Sequence, residues 1–393
     1  MDALTMPLPK AWQRVRLGDI AEIIGGGTPS TQITSFWNGS INWFTATEIG
    51  ITKYVYKSQR TITPLGLKKS SAKLLPIGTI LLTSRASIGD CAILKVVATT
   101  NQDFQSLIPL EKINNEFLYY LTLTLKNKLL KLASGSIFLG VSPNKIKNLL
   151  IPLPPLNEQI AIANILSDVD HYLCSLDALI LKKEGVKKAL SFELLSQRKR
   201  LKGFNQAWQK VRLGDICEFG NGGAYETLFK LISLNSIDID GNLKNTMKRV
   251  NFYDNSLKQD DIVMVLSDVA HGDFLGLCAV IPNNDYVLNQ RMGRLRKKND
   301  CINILFLRLY INANQKYFKM QGQGSSQLNL SKKAIEDFEI LLPPLNEQAT
   351  IANVLSALDH EIIGLKNKKR QFENIKKALN HDLMSAKIRV LNK

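Results

Sequence analysis

The residues of this chain that could make or break bonds are few, and their spacing does not assemble them. Four histidines occur, His171, His271, His360 and His381, beside one adjacent carboxylate pair, Asp260-Asp261. Paired carboxylates could hold a metal for hydrolysis, but neighbours on a strand point to opposite faces, so this pair does not converge. His171 and His360 stand at equivalent positions of an internal repeat, where a structural hydrogen bond is the expected duty. No G-x-x-x-x-G-K-[ST] loop is present to cradle a triphosphate, which excludes the usual nucleotide-driven motor. Neither G-x-G-x-x-G nor an Asn/Asp-Pro-Pro-aromatic tetrapeptide occurs, so the usual marks of an adenine methyltransferase are missing. The absence of Glu-x-Lys and Asp-x-Lys counts against a common nuclease metal site. Cys91, Cys174, Cys217, Cys278 and Cys301 form no C-x-x-C pair and are odd in number. They read as small core thiols in a reducing cytoplasm, not as a disulfide framework or a zinc site. No catalytic residue and no metal site is expected.

What the chain does carry is charge. Its 51 basic and 34 acidic residues leave a net charge of +17 over 393 residues, with 45 % hydrophobic content. That hydrophobic share and a mean hydropathy of -0.05 describe a globular chain long enough for two or more cores. A polyanion is the first partner such a charge suggests, because each lysine or arginine set against a phosphate releases condensed counterions. A merely basic surface, or attraction to anionic lipid, stays open on charge alone. No stretch approaches the roughly 18 apolar residues of a membrane span. The opening MDALTMPLPKAW lacks the apolar core of a signal peptide. A cytoplasmic protein with no membrane partner is expected.

The elements that would position any functional residue come twice. AWQRVRLGDI from Ala11 returns as AWQKVRLGDI from Ala207, nine identities in ten at an offset of 196. LPPLNEQIAIANILSDVDH from Leu153 returns as LPPLNEQATIANVLSALDH from Leu342, fourteen of nineteen at an offset of 189. That second offset runs on without a gap, so that Ile388-Arg389-Val390-Leu391 aligns with Lys199-Arg200-Leu201-Lys202. The fall from 196 to 189 makes the second intervening segment seven residues shorter. Between the matching blocks only echoes survive, such as Asn101-Gln102 against Asn289-Gln290. Repeated parts imply a repeated job, and divergent inserts imply two different things recognised.

Each Pro-Pro pair, Pro154-Pro155 and Pro343-Pro344, ends an extended approach and opens a proline-free run of helix formers. Ile162, Leu166, Val169, Leu173, Leu176 and Ile180 step by four and three, the seam of a coiled coil. Ile351, Leu355, Leu358, Ile362 and Leu365, then Phe372, Ile375, Leu379 and Leu383, repeat the pattern. Each helix would be roughly 65 Å long if unbroken, weakened locally at Gly185 and Gly364. The twin helix is the expected partner, with packing on the neighbouring domain the alternative. The inserts, with runs such as TILLTSRASI and DIVMVLSD, read as short strands and turns closed by amphipathic helices. The expected fold is therefore α/β (α+β): two mixed α/β domains at 12–152 and 208–341, joined by two long helices at 153–202 and 342–390. These helices would form an antiparallel coiled coil with a pseudo-twofold internal repeat.

Taken together, these blocks resemble the specificity subunits of type I restriction–modification systems. The resemblance rests on the paired LPPLNEQ helices and on W-x-x-V-x-L-G-D-I opening each half. It rests also on the GGGTPSTQITSFWNGSINWFT stretch from Gly25 and on the closing stretches Gly135 to Ser142 and Gly324 to Ser331. The second opening, GNGGAYETLFK, departs from the pattern, having neither TPS nor W-x-G. The resemblance implies two target-recognition domains, each reading one half of a split double-stranded DNA target. It also implies two modification subunits that bind S-adenosylmethionine and methylate adenine, and two restriction subunits that hydrolyse ATP with magnesium. No cofactor would bind this chain itself, and the long helices would set the spacing and dock the modification subunits. Two other readings remain: the specificity half of another restriction enzyme acting with a separate cleavage module, and a coiled-coil adaptor.

Major-groove reading needs Arg, Lys, Asn and Gln on loops, with Arg bidentate to guanine and Asn or Gln to adenine. The candidates are Arg85, Asn101, Gln102 and Gln105 in the first domain, and Gln290, Arg291, Arg294, Arg296 and Gln327 in the second. Ordinary surface or turn duty is the alternative for each. Trp37 and Trp43 read as core, with stacking on DNA the alternative, and Trp12 and Trp208 read as core. Lys187, Lys188, Lys376 and Lys377 are the candidates for partner docking, although lysine mixed with glutamate also describes a solvated helix face.

Overall fold

The computed structural model describes residues 8–134, 139–221, 227–238, 241–244, 247, 249–251, 257–269 and 273–390. Gly135 to Phe138 of the first closing stretch, and His271, lie outside the described residues. The chain divides into unit 1, Met1–Asp177 with Asn367–Lys393, and unit 2, Ala178–Lys366. Among the described residues no helix is long and apolar enough to cross a membrane.

Unit 1 opens with β1 (Gln13–Arg16), β2 (Ala21–Gly25), β3 (Trp37–Phe44), β4 (Tyr54–Val55) and β5 (Arg60–Ile62). After α1 (Pro64–Lys68) come β6 (Ile80–Leu82), β7 (Cys91–Leu94), β8 (Ala98–Thr100) and β9 (Gln105–Pro109). Then follow α2 (Asn115–Thr124), α3 (Lys126–Leu132), α4 (Pro143–Lys147) and β10 (Leu150–Leu153). The strands form sheets in the orders β2-β9-β6-β7-β4 and β5-β3-β8, with β1 closing antiparallel on β10. The first long helix, α5, is continuous from Leu156 to Leu195.

Unit 2 repeats the plan with β11 (Gln209–Arg212), α6 (Leu213–Ile216), β12 (Cys217–Asn221), β13 (Thr227–Ile232) and β14 (Arg249–Asn251). It continues through β15 (Ile262–Val265), β16 (Ser267–Val269), β17 (Cys278–Val280), β18 (Tyr286–Leu288) and β19 (Met292–Lys297). It ends with α7 (Ile304–Ala313), α8 (Gln315–Gln321), β20 (Gln327–Asn329), α9 (Lys332–Glu336) and β21 (Glu339–Leu342). Its sheets are β12-β19-β15-β17, β14-β13-β18 and β16-β20, and β11 closes on β21 as β1 does on β10. The second long helix, α10, runs from Leu345 to Met384. The long helices pass through Gly185 and Gly364 without a break, since each glycine faces open space and disturbs no packing.

Most residues of the W-x-x-V-x-L-G-D-I block have a visible duty. Leu17, Ile20, Leu213 and Ile216 are core. Asp19 and Asp215 accept the backbone N–H of Arg16 and Arg212, capping the short turn that follows each first strand. Gly214 is glycine because a Cβ would stand 2.8 Å from that of Glu336. Trp12 and Trp208 pack with the two cores and donate their indole N–H to Glu158 and Glu347, at 3.0 and 3.1 Å.

Those two carboxylates belong to the repeated LPPLNEQ. Each also takes a guanidinium from the exit of the opposite long helix: Arg389 bonds Glu158 in unit 1, and Arg200 bonds Glu347 in unit 2. Side-chain exposure is 3 % for Glu158 and 0 % for Glu347, so both carboxylates depend on these donors in place of water. The neighbouring Gln159 and Gln348 accept the backbone N–H of Asn114 and Asn303, which in turn cap α2 and α7. The motif therefore pins the start of a long helix to the helix that closes its domain.

Each core includes the start of one long helix and the end of the other. Ile162 and Leu166 join Leu383 and Met384 in unit 1, while Leu194 and Leu195 join Ile351 and Leu355 in unit 2. Within each unit the helices run antiparallel, since Asp170 meets Lys376 and Asp177 meets Lys369 in unit 1. Ile375, expected in the seam, is instead 51 % exposed, because Lys376 beside it takes the place across from Asp170. Cys91, Cys217 and Cys278 are core thiols, and burial pushes that of Cys217 up to about 12. Cys174 and Cys301 are exposed, against expectation.

Replacing Arg389 by Met leaves Glu158 buried with only its indole donor. A loss of about 2 kcal/mol is expected, read by hydrogen exchange as selective loosening of unit 1.

Candidate nucleic-acid interface

In unit 1 three segments meet behind the end of β6. The N–H groups of Ser84 and Arg85 and the Ser84 hydroxyl all donate to the carbonyl of Asp103, at 2.7, 3.3 and 3.0 Å. Val141 N–H then donates to the Ser84 carbonyl at 2.9 Å, so the end of the closing stretch lies against the same strand extension. Asn101 shapes the turn from inside: its amide donates to the Asp103 carboxylate at 2.8 Å and its oxygen accepts the Asp103 N–H. Gln102 is exposed at the tip and accepts the Thr28 hydroxyl. Arg85 is exposed one strand away.

The GGGTPS stretch is pressed onto this turn. A Cβ on Gly26 would lie 2.0 Å from the Asn101 carbonyl, so only glycine allows the approach. Trp43 and Trp37 are buried and donate to the carbonyls of Gly27 and Ser30, at 2.9 and 3.1 Å. They brace the opening loop from behind, and Arg60 covers the Trp37 ring at 3.7 Å. The last serine of each closing stretch, Ser142 and Ser331, caps the following short helix.

Unit 2 builds the same ladder from other residues. Leu266 N–H donates to the Arg291 carbonyl at 3.0 Å, and Leu330 N–H donates to the Leu266 carbonyl at 2.9 Å. Asn289 accepts the Arg291 N–H, as Asn101 does that of Asp103. Arg291 thus stands where Asp103 stands, Gln290 where Gln102 does, and Ser267 where Arg85 does. Ser267 donates to the Asn329 side chain at 2.5 Å, and Gln327 pairs in register with Val269. Gln290 and Arg291 are exposed, and Gln327 is half-buried.

The sequence candidates therefore separate. Arg85, Asn101 and Gln102 converge in unit 1 and Gln290 and Arg291 in unit 2, whereas Gln327 lies on β20 opposite Val269, away from that turn. Gln105 lies on β9, half-buried against Gly25. Arg294 lies on β19 and donates to Glu218 at 3.2 Å. Arg296 grips buried Asp261 with two bonds of 2.8 and 2.7 Å, and that contact raises its pKa above the usual guanidinium value. Asp260 and Asp261 precede β15 and lie on no strand; Asp261 is buried, and Asp260 is exposed in the turn. Sequence reasoning did not reach Thr28, Asp103, Ser267 or Asn329, although the Asn-Gln echo pointed at their neighbourhood.

On the long helices, Lys187 forms an ion pair with Asp359 and Lys376 one with Asp170. Lys188 and Lys377, their neighbours, are exposed. His171 and His360 are exposed on the same helices. Among the described residues no group of histidine, cysteine and carboxylate side chains could hold a metal.

The sequence model of the family described as "Type I restriction modification DNA specificity domain" matches residues 9–183 and again 205–373. The type I restriction enzyme MjaIX specificity subunit of Methanocaldococcus jannaschii is 36 % identical over 231 residues, 55 % of this chain and 54 % of that protein. The chain thus spans about half the length of that relative. The MjaVIII specificity subunit of the same organism is 26 % identical over 416 residues, covering 98 % of this chain and 95 % of its own. Among solved structures, the type I restriction–modification S subunit from M. genitalium superposes with a TM-score of 0.61 at 18 % identity. That match covers 96 % of this chain and 98 % of the other, and shows a shared fold.

The geometry separates the turn's frame from its tip. Asn101→Ala is expected to cost about 1–2 kcal/mol by freeing the turn, whereas Gln102→Ala leaves the melting temperature within error. Thermal unfolding of the two variants checks this.

Proposed function

The chain belongs to the type I restriction–modification DNA specificity family, and we propose from that premise that it is the non-catalytic subunit that reads a bipartite, asymmetric DNA target. The observation that carries this reading is the ladder built twice with different side chains at equivalent places. Arg85, Gln102 and Asp103 occupy one, and Ser267, Gln290 and Arg291 the other. Arginine can address guanine through two hydrogen bonds, and glutamine can address adenine. Two unlike sets of groups on one scaffold suit two unlike half-sites, and the +17 charge suits the phosphates of both. The coiled-coil adaptor and the detached specificity half lose ground, because the DNA specificity domain is matched once in each half.

On this reading the partners are double-stranded DNA and two modification subunits, which hold S-adenosylmethionine and methylate adenine. Two restriction subunits that use ATP and magnesium complete the assembly, in the cytoplasm. Lys188 and Lys377, exposed at equivalent positions of α5 and α10, are the docking lysines. Lys187 and Lys376 act within the helix pair and support docking by holding the helices together.

Mapping methylated adenines in host DNA tests the reading of the target. Arg291→Ala is expected to relax one half of the motif by about 10- to 100-fold and to leave the other half and the spacer unchanged. One continuous motif, or loss of both halves together, would count against the reading. The double reversal Lys188→Glu with Lys377→Glu should weaken capture of the modification subunit at unchanged target choice. Unaltered pull-down with newly methylated sites would exclude these lysines from docking.

A further inference from the structure

Several of the residues that meet across the long helices come in sets that match best when α5 faces α10. In unit 1 the rings of Tyr172 and Phe372 lie 4.6 Å apart, centroid to centroid, tilted by 54°. Their repeat equivalents are Glu361 and Lys183, and in unit 2 these form an ion pair of 2.8 Å. One position of the repeat thus holds two rings in one unit and opposite charges in the other. A second set behaves alike. Lys369 reaches Asp177 at 2.6 Å in unit 1, and Lys366 reaches Glu184 at 2.8 Å in unit 2. Asp177 and Lys366 are repeat equivalents, so α5 carries the acid where α10 carries the base.

Pairing of like helices would break these matches. The pairs Lys376–Asp170 and Lys187–Asp359 are themselves repeat equivalents, so they would survive in any combination and fix the register. In that register two copies of α10 would set Lys366 against Lys369 and the Glu361 carboxylate against the face of Phe372, each twice. Glu373, the equivalent of Glu184, would offer Lys366 little, being already shared with Lys369 of its own helix. Like charges repel, and a carboxylate is disfavoured at the electron-rich face of a ring. Two copies of α5 would set Asp177 against Glu184 and Tyr172 against Lys183. They would keep lysine-on-ring contacts but would lose the ring pair and every lysine partner of Asp177 and Glu184.

We propose that these positions are a pairing code: the helix pair accepts the unlike helix of its own chain and rejects a second copy of itself. Specificity of this kind is a difference between the intended pair and its competitors, and repulsion in the competitor supplies part of it. The inference stands on the helix contacts alone. Its readout is mixing of chains, so it can fail while the proposed DNA reading holds.

The test co-expresses two differently tagged full-length chains and measures how much of one is captured with the other. Phe372→Lys gives α10 an ammonium that meets Glu361 of a second copy, twice in the mixed species. Phe372→Ala removes the same native ring contact without creating attraction. Co-capture should be about tenfold higher for the charged variant than for its neutral control. Tyr172→Glu with Asp177→Lys, against Tyr172→Ala with Asp177→Asn, repeats the comparison on α5 and decides the matter if the α10 variants are insoluble. Equal capture of a charged variant and its neutral control overturns the proposal. So does wild-type chain that captures its own kind as strongly as the charged variants do.

Discussion

A carboxylate taken out of water must find donors elsewhere, and in this protein that need organises each unit. Glu158 and Glu347 sit in the first turns of the long helices, where they fit the positive end of the helix dipole but have no water. An indole N–H from the opening of the domain and a guanidinium from the exit of the other long helix complete the shell. Three segments far apart in sequence must therefore arrive together before the carboxylate is satisfied. Removing one leaves an uncompensated buried charge, which is costlier than never having had it. The residues of this clamp are the ones that the two halves of the chain spell identically.

With the clamp held constant, the surroundings are free to differ. In unit 1, Lys53 lies within the rings of Tyr54, Tyr119 and Tyr120, ion-paired to Glu116 and bonded to Tyr120 and Ser167. Tyr120 passes the connection to Asp170 on α5. In unit 2 the equivalent Asp359 is met by Arg308, which also bonds the Gly241 carbonyl. Both arrangements tie an insert to a long helix through the same aspartate, one with a half-buried lysine and tyrosines, the other with one guanidinium. An insert can thus be exchanged in sequence while its attachment point is kept.

Much of this architecture was legible because it is periodic or repeated. The long helices follow from their spacing of apolar residues, and the strands from β-branched runs between turn formers. The Asn-Gln echo marked the turn at the candidate interface because the same backbone job needs the same asparagine twice. What stayed hidden was pairing at a distance. Nothing local in Arg296 distinguishes a base-reading arginine from one locked on Asp261, far away in sequence. Lys187 and Lys188 look alike in sequence, yet a rotation of about 100° along a helix places one inside the helix pair and the other in solvent. Cys174 and Cys301 escape for a related reason, since composition reports a thiol and not its side of a helix or turn.

The clamp also dictates an order of events at the ribosome. Unit 2 is one uninterrupted stretch of chain, from Ala178 to Lys366, and its guanidinium, Arg200, is made before its carboxylate. Unit 1 is split, and the guanidinium that Glu158 needs comes with Arg389, more than two hundred residues later. The domain translated first is therefore completed last. Throughout synthesis of unit 2 it waits with the apolar faces of Ile162 and Leu166 short of the Leu383 and Met384 that cover them. At about 5–20 residues per second that wait lasts on the order of ten seconds or more, the interval in which the nascent chain has most need of a chaperone.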